Sequence, residues 1–282
     1  MKAPDLGSII TAWAEQSPEV SGLVLIGSRE RPASERLEVA DPYSDWDFQV
    51  ITPHPGFFAQ PDWARALPGA KLQAYAFRTA VIGGVPKVNA VFAGAEADFV
   101  IIPEEVAQKL LDAARLGQHR EEGVTRRRLQ DLAEVVRPGW RFLTGGEKWK
   151  ELYQLAVDGV TDPHLEDAGA RALAEGFVCD YVWTLRKIAR GELRTAQRMI
   201  FRDLWEVNLQ LLHELKRRLC QRTFTKARRI EQVATKAELA AISLEPRLKA
   251  ASLAEALEKS AATCRRLMQG LVGKTWRWPS VK

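Results

Sequence analysis

Two aspartates one residue apart, Asp45-Trp46-Asp47, open the stretch Trp46-Asp47-Phe48-Gln49-Val50-Ile51, whose aromatic and β-branched content reads as a strand. Residues two apart on a strand project from the same face. Carboxylates held that close repel, and burying them is costly unless a cation joins them. Mg²⁺ suits such a pair, because it takes hard oxygen ligands, commonly one or two carboxylates plus substrate phosphates. The plain alternative is a solvated strand end carrying two acids. A third acid, Asp98, opens the apolar run Asp98-Phe99-Val100-Ile101-Ile102. Alone it marks no more than a solvent edge. If its strand lies beside that of Asp47, three carboxylates meet at one end of a sheet. Such a cluster suits phosphoryl chemistry on two metals about 3.5–4 Å apart. Upstream, Gly27-Ser28 follows the short apolar run Gly22-Leu23-Val24-Leu25-Ile26. A glycine lets backbone approach a ligand closely, and free N–H groups at a helix start favour phosphate. By itself the pair is equally an ordinary strand-to-helix turn.

The elements that must position these residues can be read from periodicity. Ser8 to Glu19 shows a one-face pattern, Ile9, Ile10, Trp13 and Ala14, which predicts a helix with Ser8 as N-cap. Gly22–Ile26 is a strand apolar enough to be buried on both faces. A polar loop, Glu30 to Pro42, leads to the Asp45–Asp47 strand, which Thr52-Pro53-His54-Pro55-Gly56 stops. A short helix is expected over Ala59–Leu67, strands over Leu72–Ile82 and Lys87–Phe92, and a turn at Ala93-Gly94-Ala95-Glu96. The Asp98 strand ends at Pro103, and Glu104–Leu116 is a helix with acids at its N-terminus, where the dipole favours them. The segment Arg137 to Gly146 reads as a small strand and turn. From His164 onward the pattern is helical, with main helices over Leu165–Ala189, Leu193–Leu219 and Leu253–Leu271. The expected organisation is an α/β domain over residues 1–150, then a helical domain over residues 151–282.

A length of 282 residues fits two such domains. With 46% hydrophobic and 27% charged residues, the composition excludes collagen-like, coiled-coil and disordered chains. No apolar run approaches the roughly 20 residues of a membrane helix. The opening Met1-Lys2-Ala3-Pro4-Asp5 has no apolar signal core, so a cytoplasmic location is expected. Cys179, Cys220 and Cys264 are odd in number and scattered, which suits neither a disulfide framework nor a zinc pair. His54, His119, His164 and His213 are far apart in sequence, so a divalent metal falls to carboxylates. Net charge is −2 over residues 1–150 and +7 over 151–282, together +5. Residues 186–229 hold 13 Lys and Arg against 4 Asp and Glu. Such a stretch is either a surface for nucleic acid or phosphate, or the solvated faces of helices.

Taken in order, strand, Gly-Ser, loop, Asp-x-Asp strand, hairpin and Asp strand resemble the DNA polymerase β-like nucleotidyltransferase superfamily. Within it, the sequence is most similar to the bacterial aminoglycoside 6-adenylyltransferases, the streptomycin-modifying group. The matching pieces are Leu25-Ile26-Gly27-Ser28-Arg29, Asp41-Pro42-Tyr43-Ser44-Asp45-Trp46-Asp47-Phe48 and Ala97-Asp98-Phe99-Val100-Ile101-Ile102-Pro103. Gly139-Trp140-Arg141-Phe142-Leu143 looks like the segment that follows the family's catalytic domain. Trp183-Thr184-Leu185-Arg186-Lys187-Ile188-Ala189-Arg190-Gly191-Glu192-Leu193 looks like its helical signature. The resemblance implies an α+β chain: a nucleotidyltransferase domain of mixed sheet and flanking helices, then an all-helical acceptor-binding domain.

It also implies roles. Asp45, Asp47 and Asp98 would be catalytic and would hold Mg²⁺, with Asp98 either a metal ligand or the base for an attacking hydroxyl. Gly27, Ser28, Arg29 and Lys187 would bind ATP, and Glu175, Asp180 and Trp183 the acceptor. The product would be an AMP ester of a small molecule such as streptomycin, an antibiotic-resistance activity. Aminoglycosides are polycations, so their site should be lined with carboxylates. Glu175 and Asp180 supply that charge in an otherwise basic half. The alternatives are an RNA or protein acceptor, which the basic 186–229 stretch would suit, or a decayed nucleotide-binding protein, which three intact carboxylates argue against.

Overall fold

The structure, a computed structural model, describes residues 5–31, 40–41, 43–121, 123–159, 164–221, 230–244 and 247–279. The chain forms two compact units, Met1–Pro163 and His164–Lys282.

The first unit contains helix α1 (Leu6–Gln16), strands β1 (Gly22–Ile26) and β2 (Trp46–Thr52), helix α2 (Asp62–Arg65), and strands β3 (Leu72–Thr79), β4 (Pro86–Phe92) and β5 (Ala95–Pro103). Helices α3 (Glu104–Arg115) and α4 (Val124–Val136), strand β6 (Trp140–Thr144) and helix α5 (Gly146–Gly159) complete it. The six strands form one sheet in the order β3-β4-β5-β2-β1-β6. Strands β2 and β5 pair in parallel and the remaining neighbours pair antiparallel, so the sheet is mixed.

Strand alternation divides the core into two layers. Phe48, Val50, Phe99 and Ile101 pack with Ile10, Phe58 and Trp63 on one face. Val24, Ile26 and Ile51 pack with Leu111, Leu129, Trp149 and Tyr153 on the other. β1 is buried along its whole length because it contributes to both layers, as its unbroken apolar run implies. The Tyr153 hydroxyl, in the dry second layer, donates to Gln49 Oε1 at 2.7 Å, and burial raises its pKa.

Several local expectations are corrected. α1 starts two residues before Ser8, and its N-cap is Asp5, whose carboxylate accepts from the Ser8 N–H at 2.9 Å. Leu6 is buried and belongs to the first turn, which moves the cap upstream. The helix expected over Ala59–Leu67 shortens to Asp62–Arg65, preceded by a 3₁₀ stretch at Pro55–Ala59. β3 stops at Thr79 rather than Ile82, since a turn with Gly83 and Gly84 at φ +73° and +63° follows. The second layer also contains α4 and α5, two helices the sequence reading did not include. The loop Glu30–Pro42 lies partly outside the described residues.

The second unit holds α6 (Asp167–Ala189), α7 (Leu193–Arg198), a π-helical stretch at Met199–Leu204, α8 (Trp205–Arg218), α9 (Ile230–Val233), α10 (Lys236–Ile242) and α11 (Ala250–Val272). The helix expected over Leu193–Leu219 is thus broken by a π segment, a form in which the backbone bonds span one residue more than in an α-helix. Phe177, Leu204, Leu211, Leu257 and Met268 are core residues here. Among the described residues, no helix is long and apolar enough to cross a membrane.

The basic stretch is partly accounted for by this packing. The Glu214 carboxylate, almost fully buried, takes Arg217 at 2.6 Å and Arg218 at 2.8 Å. Arg218 also donates to the carbonyls of Leu165 and Leu271 and pairs with Asp167 at 2.6 Å. Lys216, equally buried, pairs with Glu238 at 3.1 Å. Arg218 and Lys216 thereby tie α8 to its neighbours, while Arg217 pairs with Glu214 within α8. Arg222, Lys226, Arg228 and Arg229 lie outside the described residues.

Candidate active site

Strand register builds the site. Asp47 on β2 is the pairing partner of Asp98 on β5, Asn89 on β4 is the partner of Asp98, and Ile26 on β1 is the partner of Asp47. Asn89, Asp98, Asp47 and Ile26 therefore form one row across four adjacent strands, and registered neighbours project from the same face. Asp45 precedes β2 by one residue and sits two before Asp47. One carboxylate oxygen from each of Asp45, Asp47 and Asp98 lies within 4.8 Å of the others, and all three residues are partly exposed. The three acids expected at one sheet end are brought together.

The turn after β1 lies against this row. Gly27 has φ +76°, and a Cβ there would come within 2.3 Å of Asp47 Oδ2. A side chain at this position would displace the carboxylate, so glycine is required on both counts. Ser28 is buried, and its Oγ has no hydrogen-bond partner among the described residues. Such an orphaned hydroxyl is costly unless something else takes its hydrogen bond. The helix start expected after Gly27 is a single 3₁₀ turn, Gly27–Arg29.

Arg29, for which the resemblance implies a nucleotide contact, reaches the backbone ahead of β2. Its Nε donates to the Asp45 carbonyl at 2.9 Å and its Nη2 to the Ser44 carbonyl at 2.6 Å. Its guanidinium lies 4.0 Å from the centroid of the Trp46 ring. Trp46 in turn stacks on Phe48 with centroids 6.0 Å apart. This chain of contacts holds the backbone that delivers Asp45 and Asp47.

Two residues that sequence reasoning missed bind Asp98. Lys87 Nζ lies 2.6 Å from Asp98 Oδ2, and Asn89 Nδ2 donates to Asp98 Oδ1 at 2.5 Å. Both come from β4, two residues apart and so on one face. The turn expected over Ala93–Glu96 shortens to Ala93-Gly94, since β5 already begins at Ala95, and this register puts Asn89 opposite Asp98 where the longer turn would have put it opposite Val100.

The remaining candidates belong to the second unit, on α6. Glu175 and Trp183 are exposed, and Asp180 and Lys187 are partly buried. Lys187 Nζ pairs with Glu192 Oε2 at 2.6 Å and lies 5.5 Å from the Trp183 ring centroid. Burial raises the Asp180 pKa, and the negative charge of Asp203 raises it further. Asp203 lies in the π segment and was not singled out from sequence.

The donor set fits a divalent cation. Three carboxylates supply hard oxygen ligands at one point, with solvent access left for further oxygens. The Ser28 hydroxyl, buried and without a hydrogen-bond partner among the described residues, follows directly on Gly27, which lies against Asp47.

No protein-family model and no curated protein matches this chain. Among solved structures, it is similar to an aminoglycoside 6-adenyltransferase from Bacillus subtilis, at 10% identity and TM-score 0.40, over 97% of this chain and 92% of that one. It is also similar to a nucleotidyltransferase-like protein from Exiguobacterium sibiricum, at 11% identity and TM-score 0.36, over 93% of this chain and 73% of that one.

Proposed function

We propose that the chain is a nucleotidyltransferase that moves AMP from ATP to a hydroxyl of a small molecule and releases pyrophosphate, with aminoglycosides such as streptomycin as the acceptor class. One observation carries this reading: the three carboxylates lie within 4.8 Å of one another at a sheet end, beside a glycine turn whose serine hydroxyl has no partner among the described residues.

In this reading Asp45, Asp47 and Asp98 hold Mg²⁺, which when bound neutralises the charge that develops on the phosphates. Gly27 and Ser28 receive the terminal phosphates through backbone N–H groups and the Ser28 hydroxyl. Arg29 fixes the Ser44–Asp45 backbone and so sets the separation of the first two acids. Asp98, if not spent on metal, takes the proton of the attacking hydroxyl. The helical unit supplies acceptor recognition: Asp180 and Glu175 offer negative charge to a cationic sugar, and exposed Trp183 offers a stacking face. Lys187, held at rest by Glu192, is the candidate contact to ATP from that unit.

An RNA acceptor is the second reading. It loses support where Lys216, Arg217 and Arg218 are engaged in ion pairs within the helical unit. The test is pyrophosphate release from each nucleoside triphosphate with Mg²⁺, screened against aminoglycosides, RNA and a protein acceptor. Streptomycin-dependent release from ATP supports the proposal. RNA-dependent release that weakens with salt supports the second reading. Nucleotide binding without turnover points to a decayed site.

A further inference from the structure

Asp98 differs from the other two acids in the company it keeps. Lys87 Nζ sits 2.6 Å from one of its oxygens, and the Asn89 amide occupies the other. Both donors come from β4, and Asn89 is registered opposite Asp98. An amide held by strand pairing is a fixed donor. A lysine ammonium is a compact charge on a flexible four-carbon stem, able to leave one acceptor for another. The Lys87 side chain is about one-third exposed, so its path away from Asp98 leads to solvent and not into packed core. A second cation cannot share Asp98 Oδ2 with the ammonium at no cost, since like charges that close repel.

We propose that Lys87 is the resident counter-ion of the carboxylate triad. Without metal its charge rests on Asp98. When a metal–nucleotide complex enters, the ammonium cedes Asp98 and moves onto the phosphates of the nucleotide, while Asn89 keeps the carboxylate aimed. Lys87 thus has two acceptors, Asp98 at rest and the nucleotide when bound, and its single charge opposes bare metal and favours metal carrying a polyphosphate. The proposal rests on the nucleotidyltransferase reading of the site.

The test uses the full-length chain and Mn²⁺ as the probe, with bare-ion affinity and Mn-ATP affinity measured separately by calorimetry. Lys87→Met removes the charge and keeps the stem. It should bind bare Mn²⁺ about three- to tenfold tighter than wild type and Mn-ATP weaker by a similar factor. Lys87→Arg keeps the charge and should stay near wild type in the bare-ion assay. Opposite signs in the two assays are the signature that a merely structural role would not give. Unchanged bare-ion affinity, or changes in the same direction in both assays, overturns the proposal. If Lys87→Met does not fold, Lys87→Gln carries the same expectations. Failure of the underlying reading shows separately: wild-type protein would then bind Mn²⁺ no better than Asp47→Asn.

Discussion

The sheet end of the first unit and helix α8 of the second both concentrate charge, and they dispose of it in opposite ways. On α8, each buried ion meets opposite charge from its own fold: Glu214 takes Arg217 and Arg218, and Lys216 takes Glu238. At the sheet end, three carboxylates converge within 4.8 Å, held there by the register of β2 against β5, and Lys87 offsets the charge of Asp98. Neutralised charge of the first kind serves architecture. Gathered like charge of the second kind opposes folding and is explicable when a cation ligand completes it.

Mutations should separate the two regions cleanly. The largest effect is expected from Asp47→Asn, which keeps the shape and loses the charge that holds metal. Turnover with ATP and acceptor should fall by about 10³-fold or more. The thermal midpoint should hold or rise slightly, because one repelling charge is gone. A calorimetric scan showing marked destabilisation would make Asp47 part of the architecture and erase the contrast.

Glu214→Gln should do the reverse. Burial pushes the Glu214 pKa up, but the bonds from Arg217 and Arg218 outweigh it and bring it down to about 2. A carboxylate depressed in the folded state stabilises above its unfolded pKa, and that stability drains away as pH falls through the folded value. The depression is worth about 3 kcal/mol, so urea melts at pH 7 should show a loss of that order. Wild type should lose this increment between about pH 5 and pH 2, and the variant should lack that limb of its acid profile. Parallel stability–pH curves for the two proteins would contradict the assignment.

Gly27→Ala places a methyl group where Asp47 Oδ2 stands and forces φ +76° on an L-residue. A cost of about 1–3 kcal/mol in stability is expected, together with a large drop in kcat as Asp47 shifts. A variant with wild-type activity would show that the turn does not set the triad. The smallest effects should come from Asp180→Ala in the helical unit. With an aminoglycoside acceptor, it should raise acceptor KM about tenfold and leave the KM for ATP nearly unchanged. Equal changes in both would make Asp180 structural.

The sheet strands and the triad were legible because their signals are local and strong. β1 is five apolar residues in a row, and Asp47 and Asp98 each stand near the start of a β-rich run. The partners of Asp98 were less visible. Lys87 and Asn89 look like any polar face of a hairpin strand, and they gain meaning only when the Ala93-Gly94 turn fixes the register. α4 escaped notice because Arg126-Arg127-Arg128 masks the spacing of Leu129, Ala133 and Val136, all buried in the structure. The π segment has no sequence signal of its own, since one extra residue per turn barely perturbs apolar periodicity over Met199–Leu204. The bonds of Arg29 to two carbonyls across the intervening loop have no local signal either. Long-range contacts of that kind depend on how a loop returns, which local pattern does not encode.

The most direct measurement is the mass of the acceptor after incubation of the wild-type chain with ATP, Mg²⁺ and streptomycin. The expected result is an acceptor heavier by one adenylyl group, with one pyrophosphate released per acceptor modified and neither product formed by Asp47→Asn. Wild-type protein that leaves every tested acceptor at its starting mass with every nucleoside triphosphate, or Asp47→Asn that modifies the acceptor as fast as wild type, would contradict the account.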